Sequence, residues 1–221
     1  MCKSMLCIAG LAVIAGSLAV AQPEKKAEKK PTTTTTQPTG QPQLPPGVTP
    51  EDMAACAAAA TPGEMHKYLA KGVGTWTGKN KMWMSPEAPP METDCTSTVT
   101  SIMDGRYFKC EMKGDMPGMG EFSGCGIVGF DNVSQKFVGT WIDNMSTGIM
   151  NGTGELASSG DTLNWKYTFN CPIAKKPVTM RQIERRTGEN SMTLEMFSPD
   201  PHTGKEYKCM EITLTRKAAG N

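Results

Sequence analysis

Residues 162–171, Thr-Leu-Asn-Trp-Lys-Tyr-Thr-Phe-Asn-Cys, alternate between apolar and polar side chains over most of their length. The apolar members are Leu163, Trp165, Tyr167 and Phe169. Successive side chains of a β-strand point to opposite faces, so this pattern predicts a strand with one buried and one solvated face. One apolar face per strand is what an antiparallel barrel requires.

Segments of the same kind recur on both sides of this stretch, bounded by turn signals such as Asp104-Gly105 and Thr203-Gly204. The predicted strands are 75–84, 93–103, 106–113, 121–130, 136–143, 148–157, 162–171, 177–186, 191–197 and 206–216. Ten strands in about 140 residues, without crossover helices, predict an all-β fold, an antiparallel up-and-down barrel. Closure removes the sheet edges, and about ten strands leave an interior that can hold a small ligand.

The inward face can be assigned on further strands. One apolar set is Phe108, Cys110 and Met112, and another is Met210, Ile212 and Leu214. The strand at 177–186 is ambiguous, because either parity sends a charged side chain inward. This indicates either a polar group inside the barrel or a short strand at its rim.

The N-terminus is typical of an exported protein. Lys3 precedes an apolar stretch, and Ala19-Val20-Ala21 fits the small-x-small cleavage rule. We therefore predict a signal peptide over 1–21, cleaved after Ala21, and a secreted or periplasmic location. The stretch is too short to favour an uncleaved membrane-spanning helix. Residues 22–50 are rich in Pro and Thr, which predicts a disordered linker.

Two short helices are predicted before the barrel. Thr49 can cap a helix over 51–61, with Pro50 at its first position. Thr61, followed by Pro62 and Glu64, predicts a second helix that ends at Gly72. This second helix opens the barrel domain, 62–217, and its flanking charges predict that His66 is exposed.

Composition argues against several functions. The formal net charge of +1 gives no electrostatic footprint for nucleic acid. The sequence holds two histidines and none of the common hydrolase, phosphate-loop or zinc-protease motifs. His66 and His202 fall on a helix and in a loop, away from a pocket, which argues against haem. We therefore predict neither an enzyme nor a bound cofactor.

Export would expose the cysteines to conditions in which disulfides form. Six remain after signal removal, and an oxidising compartment favours disulfides, although buried free thiols are the alternative. Cys110 and Cys125 flank a loop around Pro117-Gly118. Their indices sum to 235, so a symmetric loop centred between Pro117 and Gly118 would place them opposite each other on one face. We predict a Cys110–Cys125 disulfide.

Gly74-Thr75-Trp76 at the first strand resembles the Gly-x-Trp of lipocalins and their calycin relatives. In those barrels an Arg on the last strand packs over the Trp, and Arg216 has the matching position and parity. The resemblance implies a structural role for Trp76 and Arg216, with a cation–π contact closing one barrel end.

A second resemblance covers about residues 62–217. The segments Met82-Trp83-Met84-Ser85-Pro86, Gly105-Arg106-Tyr107-Phe108, Gly129-Phe130-Asp131-Asn132, Trp141-Ile142-Asp143-Asn144-Met145 and Met210–Arg216 are similar to the bacterial family named domain of unknown function 1579. That family has no established activity. The resemblance therefore implies fold and export, not chemistry.

The function we predict is the binding of a small apolar ligand inside the barrel. The candidate ligand-binding residues are Phe108, Trp141, Asp143, Trp165 and Tyr167. Asp143 with Asn144 can instead form an Asx-turn, and Asp131-Asn132 is expected to be a hairpin turn. The partner is a small molecule, with neither nucleic acid nor a membrane span.

Two alternatives remain open. One is a structural or interaction module of the cell envelope with a filled barrel. The other is Cu(I) binding by thioethers of Met112, Met116 and Met119 or of Met82 and Met84, against a role of these residues as core filling. A cavity of a few hundred cubic ångströms would favour the ligand-binding hypothesis over the filled barrel.

Overall fold

The structure is a computed structural model that describes residues 44–218. The predicted signal peptide and residues 22–43 of the predicted linker lie outside the described residues. Within the described residues, two helices precede ten strands. The elements are α1 Pro50–Ala60, α2 Glu64–Ala70, β1 Gly74–Met82, β2 Met91–Ile102, β3 Tyr107–Met116, β4 Gly120–Asp131, β5 Lys136–Asp143, β6 Met150–Leu156, β7 Thr162–Cys171, β8 Lys176–Gly188, β9 Ser191–Pro199 and β10 Glu206–Arg216.

The strands form one closed antiparallel barrel in which each pairs with its neighbours in sequence and β10 pairs with β1. Closure places Trp76 opposite Arg216 and Met82 opposite Met210. All ten predicted strands are present and their ends differ from the prediction by three residues at most. The predicted all-β barrel is therefore confirmed.

Both helices lie at one end of the barrel, which we call the helix end. The side chain of Asn132, in the β4–β5 turn, donates to the carbonyls of Ala58, Ala59 and Thr61 at 3.2, 3.2 and 2.8 Å. Arg106, in the β2–β3 turn, donates from Nε to the Ala60 carbonyl at 3.0 Å. These bonds satisfy carbonyls that the end of α1 leaves open. Asn132 thus does more than form a hairpin turn.

The starts of the two helices differ in how well the sequence predicted them. Thr49 caps α1 as predicted, and it forms a capping box with Asp52. The second helix begins at Glu64 with Gly63 at its N-cap, two residues later than the predicted start at Pro62 with Thr61 as the cap. The ring Nδ1 of His66 accepts from the Gly63 N–H at 3.0 Å. His66 is buried and packs edge-on against Phe130, so its predicted exposure is wrong.

Buried side chains form two clusters inside the barrel. One is aromatic and lies below α2, with Tyr68, Phe108, Phe137, Trp165 and Tyr167 among its members. The other surrounds Trp76 and is built from aliphatic and sulfur-containing side chains of β2, β9 and β10. No helix of the described part of the chain covers the opposite end, which only loops surround, and we call it the loop end.

Candidate functional site

The barrel encloses a cavity of about 350 Å³. Its wall is made by side chains of all ten strands, with Leu69 and Gly72 closing the helix end. The cavity is within the range of about 300–1,000 Å³ that is typical of small-molecule sites. The filled-barrel alternative requires a solidly packed interior, and the interior of this barrel contains a void instead.

All five predicted ligand-binding residues lie on the cavity wall: Phe108, Trp141, Asp143, Trp165 and Tyr167. The rings of Trp165 and Tyr167 stack with centroids 5.4 Å apart. At the loop end, the Trp141 indole donates to Asp143 Oδ2 at 3.1 Å, while Asp143 Oδ1 accepts from the Met145 N–H. Asp143 thus forms the expected Asx-turn and borders the cavity at once.

Inward-facing glycines let these aromatic rings lie flat against the wall. A Cβ at Gly152 would come within 2.5 Å of the Tyr167 ring, and one at Gly154 within 2.9 Å of Trp165. Such distances are too short for any larger residue without a shift of the ring. The glycines of this type on β4, β5 and β6 are Gly124, Gly126, Gly139, Gly152 and Gly154.

The ambiguous strand β8 faces inward with Met180, Gln182, Glu184 and Arg186, which all border the cavity. Of the two alternatives for this strand, the structure agrees with the first, in which polar groups lie inside the barrel. Glu184 is half-buried and borders the cavity. Burial raises the pKa of its carboxyl above the usual range, while Arg186 and the nearby Trp165 indole act in the opposite direction.

Several polar atoms around this carboxyl are buried without a hydrogen-bond partner among the described residues. They are Tyr68 Oη, Trp165 Nε1 and Arg186 Nε, with Asn80 Oδ1 farther along the wall. The Trp165 indole is near enough to Glu184 to lower the pKa of its carboxyl, although its N–H makes no hydrogen bond among the described residues. Such atoms are rare in protein interiors, because an unmade hydrogen bond costs about 1–3 kcal/mol.

The Trp76 and Arg216 pair closes the helix end next to the cavity. The Arg216 guanidinium lies 4.1 Å over the centroid of the fully buried Trp76 ring, whose Nε1 donates to the Gly72 carbonyl at 2.9 Å. Arg216 also donates to the carbonyls of Lys71 and Val73. The predicted cation–π contact is present.

Methionines form a group that sequence analysis did not identify. Met91, Met82, Met210 and Met196 are successive Cα partners across β2, β1, β10 and β9, and we call them the methionine row. Met82, Met196 and Met210 border the cavity, as do Met112 and Met116. Met84 and Met119 are exposed, so the two groups predicted from the sequence do not assemble as such. Only strand register could have revealed the row.

The predicted Cys110–Cys125 disulfide is absent from the structure. Cys125 pairs with Glu111 and Cys110 with Gly126, so the index sum is 236 and the two side chains face opposite sides of the sheet. Cys110 borders the cavity, 3.4 Å from the Ser97 hydroxyl. The described cysteines with free thiols are Cys95, Cys110, Cys125, Cys171 and Cys209.

The described residues show no group of three or more His, Cys, Asp or Glu side chains that could hold a metal ion. His66 caps a helix, and His202 lies in the β9–β10 loop, where its backbone N–H donates to Asp200. Within residues 44–218, no helix is both long and apolar enough to cross a membrane.

No curated protein sequence matches the chain. A solved structure described as "Structure of EF1p2_mFAP2b bound to DFHBI" is similar at 11% identity and a TM-score of 0.34, over 70% of this chain and 100% of that one. A similarity of that extent supports no conclusion about this protein. The family model described as "Protein of unknown function (DUF1579)" matches residues 61–216. This match spans most of the chain and agrees with the resemblance found in the sequence, and the chain therefore belongs to that family.

Proposed function

We propose that the protein is an exported carrier that binds one small, mostly apolar molecule inside its barrel without converting it chemically. The observation that carries this proposal is the cavity of about 350 Å³, bordered by aromatic and methionine side chains. A void of this size lined by apolar groups forfeits packing interactions that a filled core would have. A bound ligand would restore them.

The wall supports the proposal through its composition. Rigid rings such as Trp165 and Tyr167 provide flat contact area, and methionines such as Met196 and Met210 provide flexible contact area. A few polar groups, among them Gln182 and Glu184, are positioned to orient a ligand. Apolar walls with few polar groups are typical of small-molecule sites.

The proposal includes a lipocalin-like origin of the barrel and its export. The contact between Trp76 and Arg216 at the closed end supports the first point. Lys3, the apolar stretch behind it and Ala19-Val20-Ala21 support the second. An exported barrel with an apolar interior is suited to carrying a poorly soluble molecule through an aqueous compartment.

Native mass spectrometry of the protein purified from its own host tests the proposal. We expect a co-purified mass of a small molecule on the wild type. Leu194→Trp fills the cavity, because Leu194 lines it, and should remove that mass. Ile142→Trp adds the same side chain to an exposed position on the outer face of β5 and should retain it. Equal ligand content in both variants would contradict binding inside the barrel.

The methionine row supports a second candidate function, the binding of Cu(I). Side chains directly opposite each other on adjacent strands have Cβ atoms about 4.5–5.5 Å apart, so neighbouring thioethers can converge on one ion. Thioethers are soft ligands that suit Cu(I). We expect Met210→Leu to weaken Cu(I) binding in competition with a chelator, whereas the exposed Met119→Leu leaves it unchanged. If both variants bind like the wild type, the row is only cavity wall.

A further inference from the structure

We propose that the ligand of the cavity is a cationic amphiphile, an apolar molecule carrying one protonated amine, and that Glu184 binds the amine near the helix end. This inference rests on the proposed function, because it names the chemical class of the ligand for the same cavity. It starts from the carboxyl group of Glu184, which forms no ion pair with the described residues.

Glu184 stands between apolar neighbours. Its Cα partners are Leu163 on β7 and Leu194 on β9. None of the ion pairs among the described residues includes Glu184. Placing a carboxylate in an apolar interior is costly unless a partner of opposite charge compensates it. An incoming cation would be such a partner.

Arg186 fills this role only in part, because it lowers the pKa of Glu184 but forms no ion pair with it. Its guanidinium lies 4.8 Å over the centroid of the Tyr68 ring and donates from one terminal nitrogen to the Tyr68 carbonyl at 3.3 Å. It therefore holds α2 to the barrel. The charged residues that border the cavity are Asp115, Asp143 and Glu184, which are negative, and Arg186, which is positive; their formal charges leave a net of two negative charges. This balance favours a cation over an anion.

One further oxygen acceptor lies close to Glu184 on the same part of the wall. Gln182 precedes Glu184 by two residues on the same face and is 9% exposed, and its side-chain amide has no hydrogen-bond partner among the described residues. An ammonium group has three donors, and the side-chain oxygens of Glu184 and Gln182 can accept two of them. The Tyr167 hydroxyl lies farther away, over Gly139 on β5. The stacked rings of Trp165 and Tyr167 add a cation–π surface.

The other titratable groups near Glu184 do not compete with it below neutral pH. They are Tyr68 on α2, Tyr167 on β7 and Cys110 on β3, and burial raises the pKa of each above its usual range. As the pH falls through the raised pKa of Glu184, the carboxylate gains a proton and an amine ligand should dissociate, while a neutral ligand should stay bound.

Displacement of a hydrophobic dye, N-phenylnaphthylamine, by decylamine, decanol and decanoic acid tests the inference. These probes share one chain and differ only in the head group. We expect decylamine to bind at least tenfold more tightly than decanol, and decanoic acid most weakly. Glu184→Gln should remove the advantage of decylamine and leave decanol within twofold of the wild type. Glu121→Gln removes the same charge from the exposed outer face of β4 and should change neither.

The outcomes separate the two proposals. If the dye and all three probes fail to bind the wild type, the proposed carrier function is wrong. If decanol binds and decylamine is no better, the carrier function stands and the cationic ligand is refuted. Tighter binding of decanoic acid would refute it as well and would assign the head group to Arg186. Retained decanol binding shows that Glu184→Gln is folded.

Discussion

Replacing Arg216 by alanine removes the side chain that ties the last strand to the segment before the first. In the wild type the guanidinium lies 4.1 Å over the centroid of the Trp76 ring. It also donates to the Lys71 and Val73 carbonyls and, from Nε, to the Asn190 side chain at 3.1 Å. Without these bonds the residues that link α2 to β1 lose their main attachment to β10.

The expected loss of stability follows from these contacts. A cation–π contact on a buried ring contributes about 1–2 kcal/mol. The hydrogen bonds to the two carbonyls contribute about 0.5–1.5 kcal/mol each, because the side chain is partly exposed. Since the contributions overlap, we expect a loss of about 3 kcal/mol in the free energy of unfolding. For a domain of this size that corresponds to a Tm lower by about 6–12 °C.

Thermal and urea denaturation of the wild type and Arg216→Ala measure this loss. Arg216→Lys keeps the charge but not the fork of donors, so its Tm should fall between the two. Arg185→Ala, on the exposed outer face of β8, is the control and should change stability by no more than about 0.5 kcal/mol. If Arg216→Ala melts together with the wild type, the pair does not close the barrel end.

Three further variants test other parts of the structure. Gly152→Ala places a methyl group 2.5 Å from the Tyr167 ring, so it should lower the free energy of unfolding by about 1–3 kcal/mol and weaken ligand binding. The control is Gly148→Ala, whose methyl group meets no atom within 4 Å. Equal denaturation midpoints of the two variants would contradict this prediction. Asn132→Ala should speed amide hydrogen exchange in α1 and leave exchange in the barrel unchanged, and uniform exchange would show that Asn132 does not hold the helix. Glu184 has a raised pKa, so the folded state binds its proton more tightly than the unfolded state, and stability falls as the pH rises from the unfolded-state pKa to the folded one. Glu184→Gln should therefore stabilise the ligand-free protein at pH 8 and not at pH 4 in urea titrations; a pH-independent difference would refute this.

The strands and their inward faces could be predicted because each depends on a local pattern. Alternation in a segment such as 162–171 determines which side chains share a face, and a closed barrel has only one interior to receive them. For this reason the aromatic residues chosen from the sequence, Trp165 among them, lie on the cavity wall. The alternation of apolar and polar residues was therefore sufficient to predict this part of the cavity wall.

The features that were missed depend on distant partners or on exact register. The β3–β4 loop is centred on Gly118, which has a φ of 79°, and it contains three residues between Met116 and Gly120. The predicted centre lay between Pro117 and Gly118, so the index sum of opposite residues differs by one from the prediction, and this separates Cys110 from Cys125. The burial of His66 depends on Phe130, which is far away in sequence.

The inward direction of Glu184 could not be decided locally, since both faces of β8 carry charge. The neighbouring strands decide it. Leu163 and Leu194 flank Glu184, whereas Arg185 on the opposite face reaches solvent. The methionine row is a consequence of barrel closure, because Met82 and Met210 lie at opposite ends of the domain sequence.

The inward-facing glycines of β4, β5 and β6 have a consequence for which molecules the cavity tolerates. The glycines of β5 and β6 lie against Trp165 and Tyr167, and those of β4 lie against Trp141. These rings cannot move back, because the strand backbone lies directly behind them. Across the cavity, the methionines of β1, β9 and β10 can change rotamer at little cost. A larger substituent on the edge of a ligand that faces the rings would prevent binding. A larger substituent on the opposite edge would be accommodated by the methionine side chains. A series of homologous ligands should therefore show steep discrimination at one position and almost none at another.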